Sequence, residues 1–136
     1  MSVTILVESL VNPTEDEKKV ERALRNVFPS AKIERAMPGD TPRLRIHGEG
    51  LEFLSTLRNL IKQERIRSAA RAVFLSGTHE QRIHAYLNKQ AAFAGRISFC
   101  QPEGESPLGP ISIAIDTPNP EDVVEYLTHI PDLRRR

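Results

Sequence analysis

The chain has 136 residues, of which 39% are hydrophobic, and its 19 Lys and Arg against 18 Asp and Glu give a formal net charge of +1. This length predicts a single domain over residues 1–136, and no apolar run approaches the roughly 20 residues that a membrane-spanning helix needs. The balanced charge counts against a dedicated nucleic-acid binder, and the single cysteine, Cys100, excludes an internal disulfide framework and fits a protein of the cytoplasm.

Alternating apolar residues predict a first strand over Val3–Val11. Thr14 and Glu17 follow in the spacing of a capping box, which predicts a helix that begins at Thr14 and ends before Pro29. The buried face of this helix would consist of apolar residues at helical spacing, namely Val20, Leu24, Val27 and Phe28.

Two more strands are expected next. One is short and centres on Ile33, and the other contains Leu44 and Ile46, which alternate with charged residues as in a strand with one solvent-facing side. Met37–Asp40 is predicted as the turn between them, and Gly48–Gly50 as the turn that closes the hairpin.

The stretch Phe53–Phe74 is amphipathic and contains no helix breaker. Its length predicts two packed helices with a bend near Gln63–Arg67, and the chain leaves the second helix at Gly77.

Cationic residues in this stretch are the main candidates for RNA contact. Arg58, Lys62 and Arg65 stand at i, i+4 and i+7, which places them on one helical face, and Arg67 and Arg71 form a second i, i+4 pair. Contacts from such a face to phosphates would position RNA without reading its sequence. The alternative is an ordinary solvated face opposite the apolar side of the helix, and both interpretations remain open.

A further strand is predicted from Ile83, Ala85 and Leu87, whose other face carries His84 and Tyr86. Tyr86 is the aromatic side chain best placed to stack on a base. The phenylalanines at apolar positions are expected in the core, namely Phe53, Phe74 and Phe99.

The turn after this strand has two interpretations. Asn88 can cap a short helix that runs to Phe93, and Gly95 suits a left-handed exit from it. The free backbone N–H groups of that helix, together with Lys89, could bind an anion. Alternatively, Asn88 only caps the helix, Gln90 hydrogen-bonds across the hairpin, and the small residues permit close packing within the chain or between subunits.

The remaining elements are two strands and a helix. Arg96–Cys100 and Ile111–Ile115 alternate as strands and are separated by a loop rich in proline and glycine. Pro120 begins a last helix, which precedes the basic tail Arg134–Arg136. The apolar face of that helix would consist of Val123, Val124, Leu127 and Ile130.

This order of elements is not the regular alternation of a doubly wound parallel sheet. It predicts a single α+β domain in which a mostly antiparallel β-sheet is covered by helices on one face.

The sequence offers no catalytic or metal-binding constellation. His79 and His84 have a spacing that suits neither a helical metal pair nor one face of a strand, and Cys100 has no CxxC partner. GxxxxGK[ST] and GxGxxG loops are both missing. The acidic residues that begin the last helix are explained by the helix dipole. We therefore expect a protein that is not an enzyme and holds no metal or cofactor.

Two stretches, Tyr86–Phe99 (YLNKQAAFAGRISF) and Glu105–Ile111 (ESPLGPI), resemble an uncharacterised archaeal family. The resemblance covers nearly the whole chain, and its motif residues include Tyr86, Asn88, Lys89, Gln90, Gly95 and Gly109. Members of that family are labelled RNA-binding proteins or exosome subunits. The resemblance implies a fold similar to that of the ribosomal large-subunit protein that binds five-S RNA, a homodimer, and RNA or an RNA-processing complex as partner. Similarity of fold does not by itself establish a function.

Two functions remain open at this point. One is a non-catalytic RNA-associated module that uses the Arg58–Arg71 region and Lys89. The other is a dimeric protein-interaction or structural module without RNA-binding activity. A dimer would cover sheet edges, and the apolar strands Val3–Val7 and Ile111–Ile115 are expected at such edges.

Overall fold

The computed structural model describes residues 2–37, 39–101 and 109–129. In chain order its elements are β1 (Thr4–Leu10), α1 (Glu17–Val27), β2 (Ile33–Ala36), β3 (Arg43–Glu49), α2 (Ser55–Gln63), α3 (Arg67–Ser76), β4 (Thr78–His79), β5 (Arg82–Leu87), α4 (Lys89–Phe93), β6 (Ile111–Asp116) and α5 (Pro120–Thr128). A 3-10 turn, Leu51–Leu54, leads into α2. Some predicted features lie outside the described residues, namely Pro38 of the first turn, most of the ESPLGPI stretch, Ile130 and the basic tail.

The six strands form one antiparallel sheet in the order β2-β3-β1-β6-β5-β4. β1 and β6 lie side by side at its centre, with Ile5 opposite Ile115 and Val7 opposite Ile113. Alternate residues of the strands are buried in the core beneath the helices, while the residues between them remain partly exposed. This arrangement confirms the predicted α+β class, with an antiparallel sheet covered by helices on one face.

Helix α1 begins two residues later than the capping-box pattern predicted. Its N-cap is Asp16, whose carboxylate accepts a hydrogen bond from the backbone N–H of Lys18 at 3.0 Å. Thr14 does not cap the helix because a turn occupies the preceding residues. In that turn Glu15 Oε1 accepts from the backbone N–H of Asn12 at 2.9 Å, and the N–H of Glu15 bonds to the carbonyl of Asn12.

The predicted break between α2 and α3 is confirmed. Arg65 adopts a left-handed conformation with φ of 59°, two residues after the last residue of α2. Its N–H bonds to the carbonyl of Lys62 at 3.1 Å, and the N–H of Ile66 bonds to that of Ile61 at 3.2 Å. This pair of bonds is a Schellman motif, in which glycine is the usual left-handed residue. Arg65 therefore lies beyond α2. The spacing had predicted that it shares a helical face with Arg58, and it does not.

The short helix α4 forms as expected. The side chain of Asn88 accepts a hydrogen bond from the N–H of Ala91 at 2.9 Å, and Gly95 leaves the helix with φ of 79°. The predicted strand Arg96–Cys100 reduces to one bridge between Phe99 and Leu87. Its residues before Phe99 have no strand partner because β5 ends at Leu87, and the positions opposite Arg96–Ser98 lie in the turn and in α4.

The hairpin after β3 also differs from the prediction. Gly48 is a buried residue within β3, paired with Ile5, and not part of a turn. A Cβ atom at Gly48 would overlap the ring of Phe53, and this ring stacks on Phe28 with centroids 5.5 Å apart. Glycine at position 48 therefore leaves room for the ring of Phe53 to pack against the sheet.

The strands expected at the edges of the sheet, β1 and β6, are its central strands, so that expectation is wrong. Each has a neighbour on both sides, which is why Ile5 and Ile115 are fully buried. The edges of the described sheet are β2 and β4. β2 has four residues and carries Glu34 and Arg35, and short charged edges discourage pairing between molecules. The edges of the sheet therefore do not supply a reason for dimerisation.

No helix in the described ranges combines the length and the apolar character needed to cross a bilayer. Within the same ranges, no three His, Cys, Asp or Glu side chains lie close enough together to hold a metal ion.

Candidate nucleic-acid interface

A concave pocket of about 480 Å³ opens between the end of α2, the start of α3 and the end of α5. We call it the cationic groove. Its lining residues are Arg58, Lys62, Arg67, Glu125, Tyr126, Leu127 and His129. The fold thus brings together three of the cationic residues that the sequence predicted for RNA contact.

Two helices place the cations of the groove. Arg58 and Lys62 are one helical turn apart on α2, and the guanidinium of Arg58 lies 4.8 Å from the centre of the Tyr126 ring. Arg67 is the first residue of α3, and its Nη1 donates to the backbone carbonyl of His129 at 2.9 Å. No side chain caps the start of α3, so the positive end of its dipole adds to these charges.

The groove contains one carboxylate, Glu125, and this group is already paired. Its Oε2 accepts from Arg71 Nη1 at 2.9 Å, and its Oε1 lies 2.7 Å from His129 Nδ1. The hydrogen bonds from His129 and Arg71 hold the pKa of the Glu125 carboxyl below its usual value. Glu125 is therefore an ionised group whose charge is balanced by Arg71 and which also contacts His129. Arg71 is occupied by this pairing and does not line the groove.

No carboxylate of the described chain lies within 4.0 Å of Arg58, Lys62 or Arg67. Carboxylate partners are found for Arg25, Arg35, Arg43, Arg45, Arg71, Arg82, Lys89 and Arg96. In the described chain Lys18, Lys19, Arg22, Lys32 and Arg65 also lack such a partner, but these residues do not line the groove. The groove therefore gathers three unbalanced positive charges in one concave site, although the chain as a whole is nearly neutral.

Lys89 does not occupy the surface position that an anion site requires. It is 4% exposed, and its Nζ donates to Glu15 Oε1 at 3.0 Å and to the carbonyl of Leu10 at 2.8 Å. Burial by itself would raise the pKa of the Glu15 carboxyl, but the N–H of Asn12, the Lys89 ammonium and the Asn12 amide together lower it. The anion-binding interpretation of this turn is wrong, and the capping and packing interpretation describes it.

Among the other motif residues, Gln90 lines a pocket and Gly109 has a left-handed backbone conformation. Gln90 and Phe93 of α4 line a second concavity of about 410 Å³ against Val20 and Ala23 of α1. We call it the α1–α4 pocket. Next to it, the side-chain amide of Asn26 donates to the carbonyl of Ala92 at 2.9 Å. Gly109 has φ of 81°, which accounts for glycine at that motif position.

Tyr86 lies half-buried on the face of the sheet that the helices leave open, as predicted for a residue that shares a strand face with His84. The charges of this open face are mutually paired. Arg45 bonds to Glu8 at 2.8 Å, and Arg82 contacts Asp116 through two bonds of 2.6 and 2.9 Å. The open face therefore offers little unbalanced charge to phosphates.

Sequence reasoning missed Tyr126 and His129, which line the groove beside the cations. Tyr126 is partly buried against the core, and it is one of only two tyrosines in the chain. A tyrosine at the edge of an apolar helical face could have drawn attention to this residue. Its contact with Arg58, 68 positions earlier in the sequence (126 − 58), could not be predicted, because no local pattern joins α2 to α5.

Comparison with known proteins agrees with the resemblance noted in the sequence. Residues 4–117 match the model of a family described as RNA binding. A UPF0201 protein of Sulfolobus acidocaldarius is 40% identical over 124 residues, which cover 91% of this chain and 86% of that protein. A UPF0201 protein of Methanopyrus kandleri is 42% identical over 129 residues, covering 90% and 80% respectively. The chain belongs to the UPF0201 family.

Solved structures of UPF0201 proteins have the same fold. The crystal structure of the Methanococcus jannaschii UPF0201 protein superposes with a TM-score of 0.82 at 25% identity and covers 96% of each chain. A second UPF0201 structure, of an uncharacterised protein, has a TM-score of 0.76 at 32% identity over 92% of each chain. The family is archaeal in the relatives named here, and its description refers to RNA binding and not to an enzymatic activity.

Proposed function

We propose that this UPF0201 protein is a non-catalytic RNA-associated module that holds RNA phosphates in the cationic groove. The observation that carries the proposal is that Arg58, Lys62 and Arg67 line one concave pocket and have no carboxylate partner among the described residues. Their neighbours Arg71 and Arg96 do have such partners, Glu125 and Glu64. The family description, RNA binding, supports the same assignment.

The chemistry of the groove suits phosphate more than a particular base sequence. Guanidinium and ammonium groups bind phosphate oxygens through charge-assisted hydrogen bonds, and each such contact releases counterions from the nucleic acid. Phosphates are the same at every position, so binding of this kind is weak at physiological salt and nearly independent of sequence.

A charge-reversal variant tests the proposal. Changing Arg58, Lys62 and Arg67 together to Glu should raise the Kd for RNA at low salt at least about tenfold, because like charges would then face the phosphates. The matched control changes three exposed lysines without carboxylate partners in the described residues, Lys18, Lys19 and Lys32, to Glu. This control alters the net charge equally and should retain most of the binding.

Two results would contradict the proposal. One is equal loss of affinity in the two triple variants, which would show that only net charge matters. The other is no measurable binding by the unaltered protein at low salt. Circular dichroism of both variants checks that the fold is retained.

A second candidate function is a dimeric protein-interaction module, and the α1–α4 pocket favours it. Phe93 is 39% exposed at this pocket, beside the apolar side chains of Val20 and Ala23. The guanidinium of Arg22 lies 5.8 Å from the centre of its ring. An exposed aromatic next to an apolar wall is typical of the anchor of a protein interface, and a second copy of the chain is the partner that we propose.

Sedimentation equilibrium across a dilution series tests this candidate. A dimer should form in the unaltered protein and be weakened by Phe93→Asp. Leu75→Asp is the matched control, since Leu75 is 48% exposed on α3 and does not line the pocket. A single 15.3 kDa species at all concentrations would exclude the homodimer.

A further inference from the structure

The groove contains a cation–π pair as well as other positive charge. The guanidinium of Arg58 lies 4.8 Å from the centre of the Tyr126 ring. Tyr126 is partly buried against the core, so it holds its side of the pair in place, whereas Arg58 is exposed to solvent. The outer face of a guanidinium held in this way is a platform on which a nucleic-acid base can stack.

The positive charge of the groove is confined to a small concave region. On one side Glu125 is paired with Arg71, and beyond the end of α2 Arg96 is paired with Glu64 at 3.0 Å. Arg65 has no carboxylate partner in the described residues, but it lies beyond the end of α2 and does not line the pocket. The unpaired cations that line the pocket surround a space of about 480 Å³. Such a space can admit one nucleotide, but it does not match the two ridges of phosphates on a duplex.

A duplex is also a poor ligand because its bases are not accessible for stacking. In double-stranded RNA the base faces are covered by their neighbours, and proteins recognise the helix mainly by its shape and backbone. Bases of a single strand can turn outward and stack on aromatic or guanidinium planes.

We propose that the ligand of the cationic groove is single-stranded RNA, of which one unpaired nucleotide enters the groove. This inference rests on the proposed function. The base stacks on the outer face of the Arg58 guanidinium, which is itself supported by Tyr126, and the flanking phosphates bind Lys62 and Arg67.

Fluorescence anisotropy with two labelled probes tests the inference. The probes are a short oligouridine and a blunt RNA duplex of the same length, measured at the same low salt. We expect the oligouridine to bind about tenfold more tightly than the duplex, since stacking of one base contributes an effect of that order.

Arg58→Lys separates stacking from charge, because lysine keeps the positive charge and lacks the planar group. This variant should bind oligouridine about tenfold more weakly and should lose its preference for oligouridine over the duplex. Arg96→Lys is the control, since Arg96 is exposed, paired with Glu64 and outside the groove, and it should alter neither affinity.

The possible failures are distinguishable. Equal binding of the two probes, or an Arg58→Lys variant with unchanged preference, would overturn the single-strand inference and leave phosphate binding in place. No binding of either probe to the unaltered protein would overturn both the inference and the proposed function.

Discussion

At the scale of single residues, the buried ion pair between Lys89 and Glu15 is the most demanding feature of the molecule. The side chains of both residues are less than a tenth exposed, and Glu15 Oε1 also accepts two hydrogen bonds from Asn12. Lys89 links the end of β1, through the carbonyl of Leu10, to the turn before α1 and to α4. No buried side-chain nitrogen or oxygen of the described residues lacks a hydrogen-bond partner, so each member of this group depends on the others.

Removal of the ammonium should therefore be costly. We expect Lys89→Met to lower the free energy of unfolding by about 3–5 kcal/mol, because it leaves the Glu15 carboxylate buried without a counter-charge. Urea denaturation measures this loss. Lys18→Met, at an exposed position of α1, should change stability by no more than about 0.5 kcal/mol. A loss below about 1 kcal/mol for Lys89→Met would show that water replaces the ammonium.

The same pair predicts a dependence of stability on pH. The pKa of Glu15 in the folded protein lies below its ordinary value of 4.5. A carboxylate with a lowered pKa stabilises the folded state at pH values above its unfolded pKa, and this stabilisation is lost as the pH falls through the folded pKa. The difference in unfolding free energy between the unaltered protein and Glu15→Gln should thus have its largest value near neutral pH. It should become smaller as the pH falls below about 4.5. Urea titrations at several pH values measure it, and a difference that widens on acidification would contradict the prediction.

At the scale of elements, the junction of α2 and α3 shows why the basic residues do not form one stripe. In a continuous helix, Arg58, Lys62 and Arg65 would lie on one face. The Schellman motif ends α2 at Gln63 instead and turns the chain at Arg65, so that Arg67 begins a new helix at the groove. An arginine in the left-handed region is less stable there than glycine.

Arg65→Gly should therefore stabilise the protein by about 0.5–1 kcal/mol, because the relief of the left-handed conformation exceeds the backbone entropy that glycine loses. Thermal unfolding measures this change. Lys62→Gly, within α2, should have the opposite sign and cost about 1 kcal/mol. RNA affinity of Arg65→Gly should stay unchanged, since Arg65 does not line the groove. A large loss of affinity would show that the RNA site extends to the junction.

At the scale of the whole molecule, about half of the described cations are paired with carboxylates, and three of the others meet in the groove. The net charge is only +1, yet the groove gathers Arg58, Lys62 and Arg67 without carboxylates close to them in the described chain. Long-range attraction of RNA should accordingly be modest, and binding should depend on the few contacts made within the groove.

This distribution predicts the salt dependence of binding. Three phosphate contacts to a single strand give a slope of about −2 when log K is plotted against log salt concentration. Arg67→Gln removes one contact and should reduce the slope by about 0.7, whereas Lys18→Gln should leave it unchanged. Anisotropy titrations over a series of salt concentrations give the slopes. A slope several times steeper would indicate a much larger interface than the groove.

The predicted elements succeeded where their cause is local. Alternation placed Ile83, Ala85 and Leu87 in a strand with one buried face. The short helix begins after Asn88 and ends before Gly95, as expected. The failures had causes that the pattern within one segment does not show. Thr14 lost its capping role to Asp16 because Glu15 is bonded to Asn12 and Lys89. Arg96–Cys100 pairs only once because its antiparallel partner β5 ends at Leu87, where the chain turns into α4.

Position within the sheet was not predictable from the apolar character of β1 and β6. A strand whose inward residues are all apolar can be central or lie at an edge, since its pattern reports burial of one face and not the presence of neighbours. The order β2-β3-β1-β6-β5-β4 joins the first strand to the last. That pairing depends on the packing of the whole chain.

The sequence by itself determined the helices, most of the strands, the α+β class and the family, because each depends on periodicity or on a contiguous motif. Only the tertiary structure decided which cations are available. Arg71 meets Glu125 across 54 residues, Arg96 meets Glu64 across 32, and Lys89 meets Glu15 across 74. Coulomb attraction depends on distance in space and on burial, neither of which can be read from positions along the chain. The cationic groove gathers three of the basic residues that folding left without such a partner in the described chain.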